Sequence, residues 1–174
     1  MAGDPIARDV IIADNDYIIR GILRSVLEDR NFSVLPAVDG IEAIDLAVRT
    51  RACLVILDYM MPRLDGIATC AEIRCLPAYR NVPIIILTVF DDDSTRTAAQ
   101  QAGATMFLTK PFRPIDLLQA VTRLLGLSKA DSGLDNTTGD RAAFVWKRRV
   151  DPAQHYVELP ELSEGRRILG IYRR

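Results

Sequence analysis

LVILDYMMPRLDG, residues 54–66, is the stretch whose reading decides the fold. Leu54, Val55, Ile56 and Leu57 are apolar without alternation, which suits a strand covered by helices on both faces and argues against one with a wet side. The run ends in Asp58, and a charge at the end of a buried strand costs free energy unless something pairs with it. A proline-containing loop follows, then Asp65-Gly66, a good turn dipeptide in any protein. The rest of the chain must therefore supply more strands of this kind, helices to cover them, and a partner for Asp58.

Working outward, short apolar runs alternate with longer amphipathic ones through the first 126 residues, the rhythm of βαβ units around a parallel sheet. Strands are expected at Val10–Ala13, Phe32–Leu35, Cys53–Leu57, Ile84–Leu87 and Thr105–Leu108. Helices with a single buried stripe are expected through Ile18, Ile19, Ile22, Leu23, Val26 and Leu27, and through Ile115, Leu118, Val121, Leu124 and Leu125. Another spans Gly40–Thr50 with Ile41, Ile44, Ala47 and Val48. Leu64–Leu76 forms one of weaker periodicity, and the helix around Ser94–Ala102 offers mainly alanine to the core and should be the least firmly packed. Strict alternation with right-handed crossovers predicts an α/β fold: a doubly wound, five-stranded parallel sheet between two helical layers.

In such a sheet, the residues that follow the carboxyl ends of the strands gather at one edge, where ligands collect. Here they are Asp14, Asn15 and Asp16 after the first strand, Asp58 after the third, Thr88 after the fourth and Lys110 after the fifth. Each has an ordinary explanation by itself: Asp16 as a helix cap, Thr88 as a strand-end residue, Lys110 as a solvated charge. Acids, a hydroxyl and an ammonium converging on one edge form a candidate site.

With these motifs in place, residues 8–126 resemble the response regulator receiver domain of bacterial two-component signalling. The resemblance rests on ADND with Arg20 beyond it, LDYMMPRLDG with its D-x-x-M-P-x-x-D-G spacing, ILT at the fourth strand and LTKPF at the fifth. It implies the strand order 2-1-3-4-5 and makes Asp58 the acceptor of a phosphoryl group from a phosphohistidine on a sensor histidine kinase or phosphotransfer protein. It implies that Mg²⁺ (or Mn²⁺) is held by Asp14 through water, by Asp58, by the Met60 carbonyl and at the position of Asn15. Lys110 would bind the phosphoryl oxygens across a cis Lys110-Pro111 bond. Thr88 and Phe107 would form the switch that reports phosphorylation to the face made by the fourth helix, fifth strand and fifth helix. A carboxylate nucleophile approaching a phosphoryl group needs such cations to offset like-charge repulsion.

Two positions depart from the family pattern. Asn15 stands where a second acid usually ligates the metal; its amide oxygen can coordinate but brings no charge, so affinity should fall. Val89 follows Thr88 where many receivers carry a smaller residue, which should narrow access to the pocket.

Composition sets the remaining bounds. With 174 residues, 49% hydrophobic and 26% charged, the chain fits a globular domain of residues 1–127 with an appendage. No apolar run approaches the roughly 18–20 residues of a membrane span, and the opening MAGDPIARD lacks the core of a secretion signal, so a cytoplasmic protein is expected. Cys53, Cys70 and Cys75 lack metal-ligand spacing and read as buried reduced thiols. Residues 128–140 read as a linker and 141–174 as an interaction arm. The arm carries a balance of +4 in a chain of net charge −1. It fits a β-ribbon that joins two copies as a homodimer, a docking segment for another protein, or, least favoured, a nucleic-acid contact through Lys147-Arg148-Arg149. The arm is too short for a winged DNA-binding output domain. The expected function is a phosphorylation-dependent switch acting through protein contacts, with no enzymatic activity beyond its own phosphorylation and dephosphorylation. The rival is a scaffold that uses the same fold without phosphate.

Overall fold

The computed structural model of the protein describes residues 8–90 and 92–127. The expected linker and arm, residues 128–174, lie outside the described residues.

Five parallel strands, β1 (Asp9–Ala13), β2 (Ser33–Ala37), β3 (Leu54–Asp58), β4 (Ile84–Thr88) and β5 (Met106–Thr109), form one sheet in the order β2-β1-β3-β4-β5. The helices α1 (Tyr17–Glu28), α2 (Gly40–Arg49), α3 (Gly66–Cys75), α4 (Asp93–Gln101) and α5 (Pro114–Leu125) alternate with them. The predicted α/β fold and strand order are those observed. β3 and β4 are buried at every position, which is why their sequences are apolar without alternation. The strand order changes direction between the parallel neighbours β1 and β3, which puts the switch point beside Asp14 and Asp58.

Each face of the sheet has its own core. Val10, Ile12, Leu54, Ile56, Ile85 and Leu87 pack against α1 and α5, while Ile11, Val55, Leu57, Ile84 and Ile86 pack with Ala43, Ala47, Cys70, Ile73 and Ala99 from α2, α3 and α4. α4 contributes Ala99 as its single fully buried residue, in keeping with its expected weak packing.

The helical stripes are narrower than predicted. α1 buries Ile19, Leu23 and Leu27, spaced by four, and leaves Ile18 outside; α2 buries Gly40, Ala43 and Ala47 and leaves Val48 outside. Ile115 also reaches solvent at the start of α5. In each case a helix resting on a flat sheet has room for about one row of contacts plus its flanks, and the extra apolar residue lies past that arc. The thiols differ from expectation as well: Cys70 is buried and Cys53 half-buried, but Cys75, in the last turn of α3, is exposed. All three are reduced.

The loop after α3 contains a short 3-10 turn, Pro77–Tyr79, that the sequence reading lacked. Tyr79 is fully buried, and its hydroxyl accepts from Ala52 N–H at 3.1 Å. Arg74 ties the same region together, donating to the carbonyl oxygens of Gly103 (2.8 Å), Tyr79 (2.5 Å) and Val82 (2.6 Å).

β2 lies at one edge of the sheet. Ser33 N–H donates inward to Arg8 O at 3.0 Å and Ala37 O accepts from Asp14 N–H at 3.3 Å. Backbone alternation therefore turns the nitrogen of Pro36 outward, where its lack of a proton leaves no inward bond unmade.

Among the described residues, no helix is long and apolar enough to cross a membrane.

Candidate functional site

The carboxyl edge of the sheet carries the residues singled out from the sequence, and β1, β3 and β5 bring three of them into direct contact. Lys110, one residue past β5, extends its Nζ to Asp14 Oδ2 and to Asp58 Oδ1, both at 2.8 Å. Asp14 is 1% and Asp58 7% exposed, so this is a buried triad of two carboxylates and one ammonium. The partner that Asp58 required is present. The Lys110-Pro111 peptide bond is cis.

The charges in the triad do not cancel. Burial pushes the Asp58 carboxyl up to about 6; the neighbouring Asp14 charge adds to the rise, and Lys110 opposes it. Burial alone would lower Lys110, but the two carboxylates outweigh it and hold the ammonium above its ordinary value. With two carboxylates facing one ammonium, a negative charge on Asp58 is costly in this largely buried setting, which is why its carboxyl is raised.

The loop between β1 and α1 is braced so that Asp14 faces inward. Asp16 N–H donates to Asp14 Oδ1 at 2.8 Å, and Arg20 donates to the Asp14 carbonyl at 2.6 Å. Both Asp14 carboxylate oxygens thus have protein partners. Asp16 caps α1, its side chain accepting from Ile18 N–H at 2.9 Å, while Asn15 is exposed. Asp65, expected as a turn residue, is the cap of α3 and accepts from Ala68 N–H at 2.8 Å.

Thr88, the last residue of β4, is 2% exposed, and its hydroxyl accepts from Phe90 N–H at 3.0 Å. Its carbonyl accepts from Lys110 N–H at 2.6 Å, which joins β4 to the lysine backbone. Val89 and Phe90 turn toward solvent, and the Phe90 ring meets Tyr59 edge-on with centroids 5.9 Å apart. Phe107 is half-buried and packs against the core shared by α2, α3 and α4. Met60, two residues beyond Asp58, is half-buried.

The donor chemistry fits a hard divalent ion. Among the described residues no group of three or more acid, histidine or cysteine side chains gathers to hold a metal. The donors the triad itself offers are the carboxylate oxygens of Asp14 and Asp58, which suit Mg²⁺ or Mn²⁺ and not a thiophilic metal.

One pairing was invisible at the sequence level. Asp39, the cap of α2, is 2% exposed and bonded by Arg63 from the loop after β3. The two positions lie 24 residues apart, and each reads locally as a cap or loop residue.

Residues 10–122 match the response regulator receiver domain family. The response regulator MprA of Mycobacterium sp. strain KMS is 39% identical over 127 residues, which are 73% of this chain and 54% of that protein. Its namesake in Mycobacterium leprae is 37% identical over 153 residues, 86% of this chain and 66% of that one. The chain thus spans about half to two-thirds of the length of these relatives. Among solved structures, the chemotaxis protein CheY4 of Vibrio cholerae is 32% identical with a TM-score of 0.65, covering 67% of this chain and 98% of that one. The receiver domain of the Pseudomonas aeruginosa sensor histidine kinase PA1611 holds a magnesium ion in its active-site cleft. It is 30% identical with a TM-score of 0.64, covering 68% of this chain and 97% of that one.

Proposed function

Because the chain belongs to the response regulator receiver domain family, we propose that Asp58 accepts a phosphoryl group from a phosphohistidine of a sensor histidine kinase or phosphotransfer protein. The observation that carries this reading is the Lys110 ammonium bridging Asp14 and Asp58 at 2.8 Å each. An Asp58 oxygen attacks phosphorus, the phosphorus–nitrogen bond breaks, and its electron pair stays with the imidazole of the donor. The product is an acyl phosphate on Asp58.

Bound Mg²⁺ or Mn²⁺ supplies positive charge against the phosphoryl oxygens. Asp58, the Met60 carbonyl and the Asn15 amide oxygen would be its ligands, and Asp14, as the family resemblance implies, would hold it largely through water. Lys110 holds a phosphoryl oxygen while remaining near Asp14. Thr88, whose hydroxyl oxygen accepts from Phe90 N–H, swings to donate its proton to another. This movement and the packing of Phe107 pass the signal to α4, whose thin contact with the core leaves a small gap between two arrangements.

The rim supports a protein donor. Of the seven large apolar residues exposed among the described ones, six, Tyr17, Ile18, Val38, Val89, Phe90 and Ile115, lie in loops or helix starts at the carboxyl edge, and Val48, late in α2, does not. A partner delivering phosphohistidine to Asp58 covers the six. Output proceeds through protein contacts, including self-association through the α4, β5 and α5 face or through residues 141–174, and the protein works in the cytoplasm.

Exposed, uncharged Asn15 favours a second reading, a scaffold that never turns over phosphate. Acetyl phosphate with Mg²⁺ decides between them by intact mass. One added phosphoryl group in the unaltered chain and none in Asp58→Asn is expected; no addition to either leaves the scaffold.

A further inference from the structure

We propose that Arg63 is a positioning residue: its pairing with Asp39 holds the loop 59–65 so that the Met60 carbonyl faces the ion beside Asp58. This rests on the reading of Asp58 as phosphoacceptor and adds a determinant to it.

The first observation is backbone conformation. Arg63 has φ 66°, the left-handed region that glycine and asparagine occupy at lower cost. A long β-carbon-bearing side chain at such a place needs a compensating contact. Arg63 has one, since Nε donates to Asp39 Oδ2 at 2.5 Å and a terminal nitrogen donates to the same oxygen.

The second is the burial of the acceptor. The Asp39 side chain is 3% exposed while that of Arg63 is 57% exposed, so the guanidinium lies over a carboxylate that is otherwise sealed from water. Asp39 Oδ1 caps α2 by accepting from Glu42 N–H at 3.0 Å, which leaves Oδ2 for the loop. One carboxylate thereby fixes a helix start and a loop together.

The third is the fit of the loop at both ends. A β-carbon on Gly66 would collide with the Asp58 carbonyl oxygen and lie 2.9 Å from its carbon, so the far limb returns directly onto the strand end. One on Gly40 would lie 2.7 Å from the Leu64 carbonyl oxygen, so the outer limb rests on α2 beside Asp39. Gly66 N–H closes the loop on Tyr59 O at 2.9 Å. Tyr59 N–H donates to Leu87 O at 2.7 Å and Met61 is buried in the core, so the strand side of the segment from Tyr59 to Pro62 is held from within, and the Arg63 tether adds the restraint on its outer side, with Met60 between the two.

Arg63→Gly, Arg63→Lys and Asp39→Asn in the full chain test this. Glycine removes the tether and relieves the backbone at the same time, and asparagine keeps an oxygen to cap α2 while removing the charge. Mg²⁺ titration followed by amide shifts, and phosphorylation by acetyl phosphate followed by intact mass, are read together with melting temperature. For Arg63→Gly, Mg²⁺ affinity and phosphorylation rate fall by about three- to tenfold, within or below the range for groups that orient metal ligands, while the melting temperature, relieved by glycine but lowered by the loss of the partner of Asp39, still leaves the chain folded at the assay temperature. Arg63→Lys recovers part of the loss. Asp39→Asn matches Arg63→Gly, and the double variant is no worse than either single one.

Unchanged Mg²⁺ affinity and rate in Arg63→Gly overturn the inference, as does additivity of the two substitutions. If the unaltered chain neither binds Mg²⁺ nor gains a phosphoryl group, the proposed function fails instead. Hydrogen exchange at residues 59–66 then still reports the tether, because Asp39→Asn speeds it if the pairing holds the loop and leaves it unchanged if it does not.

Discussion

At Asp58, burial and the Asp14 charge push the carboxyl up to about 6 from 3.8, so the folded protein binds that proton more tightly than the unfolded chain does. For an acid with a raised folded value, the contribution to stability is fully present below about pH 4 and is lost as pH rises through 6. At neutral pH the ionised residue is therefore a burden on the fold. Asp58→Asn should be more stable than the unaltered chain at pH 7.5, by up to roughly 3 kcal/mol, and the gain should fade toward pH 4; urea melts across that range check it. The cysteines give a second outcome at this scale. Burial pushes the Cys70 thiol up to about 11 and raises Cys53 as well, whereas Cys75 is exposed. Alkylation at pH 8 read by peptide mass should label Cys75 first and Cys70 only after unfolding. The meeting of Asp14, Lys110 and Asp58 was legible in the sequence because each sits at a strand end, where chain topology alone fixes the neighbourhood. The Arg63–Asp39 pair was not, because a contact between two loops depends on backbone angles that no periodicity encodes.

At the scale of elements, two glycines have opposite meanings. Gly21 lies on the exposed side of α1 with nothing near the place of a β-carbon, so Gly21→Ala should stabilise the protein by about 0.5–1 kcal/mol. Gly66 begins α3 against the backbone of Asp58, and Gly66→Ala should destabilise by about 1–3 kcal/mol. Thermal melts of the two variants should move in opposite directions. The strands were legible as buried apolar runs and α1, α2 and α5 as amphipathic repeats. Their ends shifted by a residue or two because hydrogen bonding to a neighbouring strand, not composition, sets where a strand stops. Ile18, Val48 and Ile115 read as core and are exposed. Apolar character signals burial in a helix only while the residue falls within the arc that the sheet can cover.

For the whole molecule, an ion at the triad couples to the stability of the entire fold, since the site needs β1, β3 and β5 in register. Raising Mg²⁺ to about 100 times its dissociation constant should add about 2.7 kcal/mol to unfolding of the unaltered chain and much less to Asp58→Asn; calorimetric melts with and without the ion measure it. The two layers and the edge that carries the site followed from the alternation of elements, while the sheet order followed from the resemblance to receiver domains. Nothing in that alternation shows which loops tie to each other, and here Arg74 and Tyr79 do so from α3 and the 3-10 turn.

The outward nitrogen of Pro36 bears on how molecules meet when crowded. A ribbon from another molecule seeking to lengthen the sheet along β2 finds a missing donor midway, so growth into fibres is discouraged on that flank. The opposite flank, β5, contains no proline, and it is there that a visiting strand would find an unbroken row of amides.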